Sequence, residues 1–220
     1  MMNQIISRGI LGLGQQSNAY YLDQIQKRYE ERNEMFATCP LLMYQIDFQE
    51  INLFLPNQFS ILIPRIKHYL DQVSKLGITK LLVPNITLHE TLDQITFELE
   101  ICHPVLLTIQ YLKENNIKKV FLFGTNYTMN SDYIKQRFSE KEILVESPTE
   151  ADQEWIDRFR KSVYAREVTL IQVYFYQEML KKYGGTLPVV IACTELSIYA
   201  LKNVSFCIDM ADLQIEKFLK

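Results

Sequence analysis

Cys193 is the residue of this sequence whose setting best suits catalysis. It follows the apolar run Val189–Ala192 and precedes Thr194 and Glu195, which open a predicted helix. A thiol at a helix N-terminus lies near unpaired N–H groups and the positive end of the helix dipole, so its pKa falls and its thiolate fraction rises. The same N–H groups, together with the Thr194 hydroxyl, suit a substrate carboxylate. The alternative is that Cys193 is a small buried apolar side chain, as free cysteines usually are.

A second junction of the same kind lies earlier in the chain. The predicted strand Lys80–Pro84 leads into Asn85 and Thr87, and a predicted helix begins at His89. In α/β proteins, ligands bind at such carboxyl ends of parallel strands. We therefore expect the two junctions to face each other across a cleft between two similar halves. His89 lies one helical turn beyond Asn85 and could deliver a proton, although such a histidine more often caps or packs.

Other polar residues at predicted strand ends are candidates for holding a substrate. Hydroxyl groups at loop ends suit anions but also cap helices, and both roles are open for three threonines: Thr87, Thr125 and Thr128. Asp47 could bind a substrate ammonium group or end its strand. Gly12-Leu13-Gly14 lacks the third glycine of a dinucleotide fingerprint, because Ser17 occupies that position. We interpret Gly12 as part of a tight turn that lets the backbone approach a small ligand.

Short apolar runs alternate with longer amphipathic stretches, which indicates an α/β fold with βαβα order and parallel strands. The predicted strands are Ile5–Leu11, Leu41–Ile46, Lys80–Pro84, Val120–Phe123, Ile143–Glu146, Val189–Ala192 and Val204–Ile208. The predicted helices are Asn18–Arg32, Gln58–Leu76, His89–Glu100, Val105–Asn115, Asn130–Phe138 and Asp152–Lys182. We expect a break inside the last of these helices and a domain boundary near Cys102–Val105. The predicted lobes are residues 1–103 with 205–220, and residues 104–204.

Composition argues against several classes of function. Hydrophobic residues make up 48% of the chain and charged residues 22%, which is typical of a globular protein. The net charge of −3 comes without a basic stripe, so we expect no nucleic-acid partner. No apolar run approaches the ~20 residues that cross a bilayer, and we find no secretion signal, so we expect a cytoplasmic protein without a membrane partner. The four cysteines lack Cys-x-x-Cys spacing, which favours free thiols over a metal site.

Five segments form an ordered set over nearly the whole chain. They are Gly9–Gly14 followed by Ala19-Tyr20-Tyr21, then Tyr44–Phe48, Phe123–Thr128, Val190–Leu196 and Cys207–Asp209. This set resembles the aspartate/glutamate racemases, whose corresponding motifs include Ser-Val-Asp-Phe, Leu-Gly-Thr-x-x-Thr and Gly-Cys-Thr-Glu-Leu. The resemblance implies two pseudo-symmetric, flavodoxin-like α/β lobes with parallel sheets, an active site in the cleft between them, no cofactor and a homodimer.

Racemases of this family use two cysteines on opposite faces of the substrate. Inversion requires proton removal on one face and delivery on the other, so each acid or base must lie within hydrogen-bond reach of its face. The family's first motif is Pro-Cys-Asn-Thr-x-His, whereas this chain has Pro84-Asn85-Ile86-Thr87-Leu88-His89. Asn85 therefore stands at the position of the first cysteine, and its amide does not titrate usefully. Cys193 stands at the position of the second.

The resemblance leads to three hypotheses of function. The first is racemisation of aspartate or glutamate without a metal or pyridoxal cofactor, in which Cys193 removes or returns the α-proton and Asn85 orients substrate or water on the other face. The substrate contacts it implies are Gly12, Asp47, Thr87, Thr125, Thr128, Thr194 and Glu195. The second is one-base chemistry, as in related decarboxylases of disubstituted malonates, where a lone thiol protonates an enediolate. The third is a small-molecule-binding protein that has lost turnover.

Overall fold

Two parallel sheets of four strands organise the chain in a computed structural model, which describes residues 6–220. Each sheet belongs to one of two units. Unit 1 comprises residues 6–103 and Gln214–Lys220, and unit 2 is Pro104–Leu213. The two sheets have the same strand order relative to the chain, so the prediction of an α/β fold with two parallel-sheet lobes is confirmed. Ile5 of the first predicted strand lies outside the described residues.

Unit 1 is built on the sheet order β2-β1-β3-β4. Its strands are β1 (Arg8–Gly12), β2 (Leu42–Gln45), β3 (Lys80–Leu82) and β4 (Glu100–Ile101), and its helices are α1 (Gln15–Arg32), α2 (Gln49–Asn52), α3 (Phe59–Lys75) and α4 (His89–Leu92). Four apolar residues of α3 follow helical spacing and are buried: Leu62, Ile66, Leu70 and Val73. They share one core with Leu81 of β3, which anchors the strand that ends before Asn85.

Unit 2 repeats this plan with the order β6-β5-β7-β8. Its strands are β5 (Lys119–Gly124), β6 (Leu144–Glu146), β7 (Val189–Ala192) and β8 (Cys207–Asp209). Its helices are α5 (Pro104–Glu114), α6 (Asn126–Asn130), α7 (Asp132–Ser139), α8 (Glu150–Ala165), α9 (Leu170–Gly184) and α10 (Thr194–Ile198). All four residues of β7 are buried, because the strand is central in its sheet and helices cover both faces of such sheets. The last helix, α11 (Met210–Leu219), contains the boundary between the units.

The predicted break inside residues 152–182 is confirmed. Helix α8 ends at Arg166, whose φ of 62° puts it in the left-handed region that closes many helices. A new helix then starts at Thr169, whose side chain accepts a hydrogen bond from the Gln172 amide in a capping box. Large apolar side chains remain exposed at the start of this second helix: Leu170, Ile171, Tyr174 and Phe175.

Two predicted helices have the wrong bounds. The helix predicted over residues 89–100 ends at Leu92, because the chain must reach the sheet edge in time for Glu100 to pair with Lys80. The helix predicted over residues 130–138 corresponds to α7, which begins at Asp132, and the preceding helix α6 was not predicted. The segment after Leu92 fits a helical pattern, and the strand pairing of Glu100 decides the outcome there.

The chain returns to unit 1 at Gln214, nine residues later than the boundary at residue 205 that the sequence suggested. Residues 207–209 stay with unit 2 because β8 pairs with β7, with Cys207 opposite Val189. Gln214 is buried in unit 1, where its Nε2 donates to the carbonyl oxygen of Cys102 at 2.7 Å and its Oε1 accepts from the Tyr21 hydroxyl. Among residues 6–220, no helix combines the length and apolarity that crossing a bilayer requires.

Candidate active site

The carboxyl end of the unit 2 sheet brings Thr125 and Cys193 onto neighbouring strands. Gly124, the last residue of β5, pairs with Ala192, the last residue of β7. Thr125 and Cys193 are the next residues on these strands, and adjacent strands lie about 4.8 Å apart. A Cβ on Gly124 would lie 3.3 Å from the Ala192 carbonyl oxygen and 3.0 Å from the Thr128 side chain, so a side chain at this position would crowd both neighbours.

Thr125 and Thr128 form one hydroxyl pair at this edge. Thr125 Oγ1 accepts from the Thr128 amide at 3.0 Å, and the two hydroxyl oxygens are 2.8 Å apart. The pair needs only one of its two hydroxyl hydrogens for this mutual bond, so the other remains available to an anion. Thr125 therefore caps α6, which is one of the two roles predicted for it. The remaining hydroxyl hydrogen of the pair can still donate to a ligand.

Cys193 donates its thiol hydrogen to the Glu195 carboxylate. The distance from Sγ to Oε2 is 3.0 Å, and Cys193 occupies the N-cap position of α10 in extended conformation. The residue is only 5% exposed and packs in the core of unit 2 with Phe123 and Leu196. Both environments considered for Cys193 from the sequence thus occur together: it is buried, and it stands at a helix N-terminus.

The pKa predicted for Cys193 is wrong in direction. Burial raises the pKa of the thiol well above its usual value, and the charge and hydrogen bond of Glu195 raise it further. Arg160 and the Leu196 N–H lower the pKa, but these effects are weaker. Helix α10 has only five residues, so little dipole opposes the desolvation of a thiolate. At neutral pH the resting group is a protonated thiol next to a carboxylate.

Asp209 and Ser197 contact each other next to Cys193 at this edge of the sheet. Ser197 Oγ lies 2.7 Å from Asp209 Oδ1 and 3.2 Å from the Cys193 carbonyl oxygen. Asp209 ends β8 and is buried; burial, followed by the charge of Asp212, raises its pKa to about 6. Lys202 Nζ is 3.3 Å from the other carboxylate oxygen of Asp209. The single hydroxyl hydrogen of Ser197 goes to Asp209, the nearer acceptor, so Ser197 links helix α10 to the end of the neighbouring strand.

In unit 1, Asn85 presents its amide nitrogen rather than its oxygen. Asn85 Oδ1 accepts from the Leu88 amide at 3.0 Å, and Nδ2 has no hydrogen-bond partner among residues 6–220. The backbone oxygen of Asn85 is 2.9 Å from His89 Nδ1. A carbonyl oxygen only accepts, so Nδ1 carries the proton and the buried Nε2 is left without a partner in the described part of the chain.

His89 is fully buried, which agrees with the prediction that this histidine packs in the interior. Burial, and then the charge of His103, lower its pKa to about 3. The two imidazole rings meet edge to face with centroids 4.8 Å apart, and His103 Nε2 lies 3.2 Å from Asp93 Oδ1. His89 is therefore neutral at physiological pH and fixes the turn that carries Asn85.

The other candidates of unit 1 lie at the same edge of its sheet, where β1 and β2 end. A Cβ on Gly12 would lie 2.5 Å from Gln45 Oε1, so the close approach at this glycine is to Gln45. That oxygen accepts from Asn18 Nδ2 at 2.6 Å, and Asn18 Oδ1 accepts from the Leu13 amide at 3.0 Å. The exposed Asp47 accepts from the Gln49 amide at 3.0 Å and so caps the turn into α2.

Two threonines at the strand ends, Thr87 and Thr194, have hydroxyl groups that are not used within the described part of their own unit. Thr87 is half-buried and Thr194 is 4% exposed. Neither side chain has a hydrogen-bond partner among the residues that the structure describes. Within residues 6–220 there is also no group of three or more His, Cys, Asp or Glu side chains that could hold a metal ion.

Similarity to known proteins lies in the fold. No family model matches this sequence, and no curated sequence matches it. A candidate Asp/Glu racemase from Yersinia pestis superimposes with a TM-score of 0.82, at 20% identity over 98% of both chains. An aspartate racemase homologue from Pyrococcus horikoshii gives 0.81, at 20% identity over 96% of both chains. The aspartate racemase of Picrophilus torridus gives 0.79, at 17% identity over 98% of this chain and 93% of that one.

This chain has the aspartate/glutamate racemase fold. Within the racemase fold, the sequence motifs identified two positions, Asn85 and Cys193, that the structure places at corresponding strand ends of the two sheets. The residues that sequence reasoning missed are those that hold these positions: Ser197, Asp209 and His103. Asp209 had a signal, because it closes the Cys207–Asp209 motif, whereas Ser197 and His103 had none.

Proposed function

We propose that this protein is a cofactor-independent isomerase that exchanges the α-proton of a small dicarboxylic amino acid, aspartate or glutamate. The observation that carries the proposal is the Cys193–Glu195 pair, with Sγ and Oε2 3.0 Å apart, at a strand end of the racemase fold. A thiol and a carboxylate in contact form a proton relay of the kind that reaction at a carbon acid needs.

The reaction begins with the thiol protonated. Glu195 takes the Cys193 proton, and the thiolate then removes the α-proton of the substrate. The Cα–H bond breaks, an S–H bond forms, and the electron pair stays on the substrate as an enediolate. In the reverse direction the thiol returns its proton to Cα and Glu195 reprotonates the sulfur. The pKa of Cys193 is raised by burial and by Glu195, so the thiol form prevails and protonation of the enediolate is the easier half of the reaction.

The strand ends carry hydrogen-bond donors without partners in the described part of the chain, and such donors suit the carboxylates of a substrate. The Thr125–Thr128 pair keeps one hydroxyl hydrogen, and Thr194 and Thr87 add further hydroxyls without partners among residues 6–220. Asn85 Nδ2 is a fourth donor group. Asp47 uses one carboxylate oxygen to cap α2, and its charge suits the substrate ammonium group. Gly12 and the backbone that Asn18 holds complete the proposed contacts.

Asn85 determines what the second face of the substrate can do. Its amide donates hydrogen bonds but does not exchange protons at neutral pH. Racemisation would therefore need a water that accepts from Asn85 Nδ2 and gives a proton to Cα on this face; the hydroxide left behind would take a proton back from bulk solvent. The second candidate function, one-base chemistry such as decarboxylation followed by protonation, needs no such water. The protonated state of Cys193 favours this second candidate, because a thiol that already carries its proton is ready to quench an enediolate.

Exchange in deuterated water separates these functions. The protein is incubated with L- or D-aspartate and L- or D-glutamate; loss of the α-proton signal is followed by NMR, and optical purity by chiral chromatography. Exchange with inversion supports the isomerase, and exchange with retention supports one-base chemistry. Ligand binding without any exchange would leave only a binding protein, and release of carbon dioxide from a disubstituted malonate would favour the decarboxylase.

We also propose a cytoplasmic homodimer. The four cysteines, Cys39, Cys102, Cys193 and Cys207, are free, which supports a reducing compartment. The dimer rests on the resemblance alone. Sedimentation velocity tests it, and a sedimentation coefficient that stays at the value for a 26.0 kDa monomer at all concentrations would contradict it.

A further inference from the structure

A cavity in unit 2 is lined by side chains of α8 and α9. It has no part in the proposed function. Its volume is about 360 Å³, which is within the range of small-molecule sites. Six residues line it: Trp155, Arg158, Phe159, Lys161, Ser162 and Gln172. This lining combines aromatic rings with cations, so both the shape and the charge of a ligand can be inferred from it.

The aromatic residues form a stack that runs from the core to the cavity. Phe159 is stacked on Tyr176, with centroids 4.7 Å apart and an interplanar angle of 23°. Trp155 is stacked on Phe159, with ring centroids 5.4 Å apart and an interplanar angle of 9°. Tyr176 and Phe159 are buried, whereas Trp155 is half-buried and is the outermost ring. A planar ligand ring would extend this stack, because aromatic rings prefer offset-stacked contacts.

The two cations of the lining differ in what they already bind. Lys161 Nζ is 2.6 Å from Asp157 Oδ2, so its charge is largely satisfied. Arg158 is exposed, and its guanidinium forms no ion pair or side-chain hydrogen bond with residues 6–220. A guanidinium presents a planar fork that matches a carboxylate. The cavity therefore has one unused cation next to an aromatic face.

We propose that this cavity binds a small planar aromatic carboxylate, whose ring stacks on Trp155 and whose carboxylate pairs with Arg158. Charge and shape complementarity both select this ligand class over an uncharged ring or a non-planar acid. Gln172 Nε2, which lies 3.4 Å from Ser162 Oγ, adds a polar rim that suits a ring substituent with a hydroxyl group.

The test uses the fact that Trp155 is the only tryptophan of the chain. Its indole N–H gives a single cross-peak in a ¹H–¹⁵N correlation spectrum of the full-length protein, so no assignment is needed. The probe is 1-naphthoate, titrated in parallel with naphthalene-1-methanol, which lacks the charge, and cyclohexanecarboxylate, which lacks the ring. Arg158→Gln removes the proposed anchor. Lys118→Gln is the matched control, because it removes one exposed positive charge of the same unit elsewhere.

We expect a saturable shift of the indole cross-peak with 1-naphthoate and binding about tenfold weaker for each of the two reference compounds, since one lost charged or stacking contact is worth about that factor. Arg158→Gln should weaken 1-naphthoate about tenfold, and Lys118→Gln should leave it unchanged. Absence of a saturable shift would overturn the proposal. Equal binding of the three compounds, or equal weakening by both substitutions, would do the same.

Discussion

At Cys193 two sets of interactions act on one sulfur atom in opposite directions. Arg160 and the Leu196 N–H favour the thiolate, while burial and the nearby Glu195 carboxylate favour the thiol. Burial is the largest effect, and the thiol form prevails. The residue is consequently a protonated thiol at rest, and in the mechanism that we propose Glu195 accepts its proton before the sulfur acts as a base.

Glu195→Gln should lower the pKa of Cys193 relative to the unsubstituted protein. The substitution removes the negative charge while keeping an oxygen that can accept from the thiol, so a cause of the raised pKa disappears. The ultraviolet absorbance of the thiolate, followed against pH and corrected with Cys193→Ser, measures this pKa. Glu167→Gln is a control on an exposed glutamate of unit 2. A pKa that is unchanged or higher in Glu195→Gln would contradict the contact.

Asn85→Cys should increase the share of exchange events that end in inversion. The substitution places a titratable thiol at the position where racemases of the family that this sequence resembles have their first cysteine. A positioned acid or base contributes about 10²–10⁴-fold to rate. It also removes the cap on the Leu88 amide, at a cost of about 1 kcal/mol in stability. Chiral chromatography during exchange measures the inversion. Asn85→Ser, which has no thiol, is the control, and equal inversion in both variants would place Asn85 outside the reaction.

At the scale of elements, the turn after β3 depends on a buried neutral histidine. His89 Nδ1 holds the Asn85 carbonyl oxygen, and the ring faces His103, which in turn contacts Asp93. Protonation of His89 would place a charge in this buried setting. The folded pKa of about 3 is below the ordinary value of 6.5, so the unfolded chain binds the proton more tightly.

This depressed pKa predicts a loss of stability as the pH falls from 6.5 towards about 3. Below 6.5 the unfolded state takes up a proton that the folded state does not, at about 1.4 kcal/mol per pH unit. His89→Gln should show a flatter pH dependence of the free energy of unfolding in this window, measured by urea denaturation. His68→Gln, on an exposed histidine of the same unit, should keep the original slope. Parallel slopes in both variants would contradict the assignment.

The sequence predicts an element well where neighbouring residues determine it, and poorly where contacts with distant parts of the chain determine it. β7 could be predicted residue for residue, because Val189–Ala192 is an uninterrupted apolar run between turns. The length of α4 could not, because its end is set by the pairing of Glu100 with Lys80. The pKa of Cys193 was predicted in the wrong direction for a similar reason: the helix N-terminus is visible in the sequence, whereas burial in the unit 2 core is not.

In the molecule as a whole, the two sheets share the same strand order, and each of them carries a candidate residue at the end of a central strand. Asn85 follows β3 in unit 1 and Cys193 follows β7 in unit 2. This repetition explains why the ordered sequence motifs span nearly the whole chain while overall identity to the racemase structures is only 20% or below. The motifs occupy strand ends, and the remaining residues need only maintain the two cores.

In the function that we propose, the Cys193 sulfur carries the proton of a carbon acid. The most direct test of this role is the rate at which aspartate and glutamate lose their α-proton signal in deuterated water with the unsubstituted protein, Cys193→Ala and Cys207→Ala. Cys207 pairs with Val189 in the same sheet and is the matched control. We predict exchange that Cys193→Ala abolishes and Cys207→Ala preserves. Exchange at an unchanged rate in Cys193→Ala would rule out this role for Cys193.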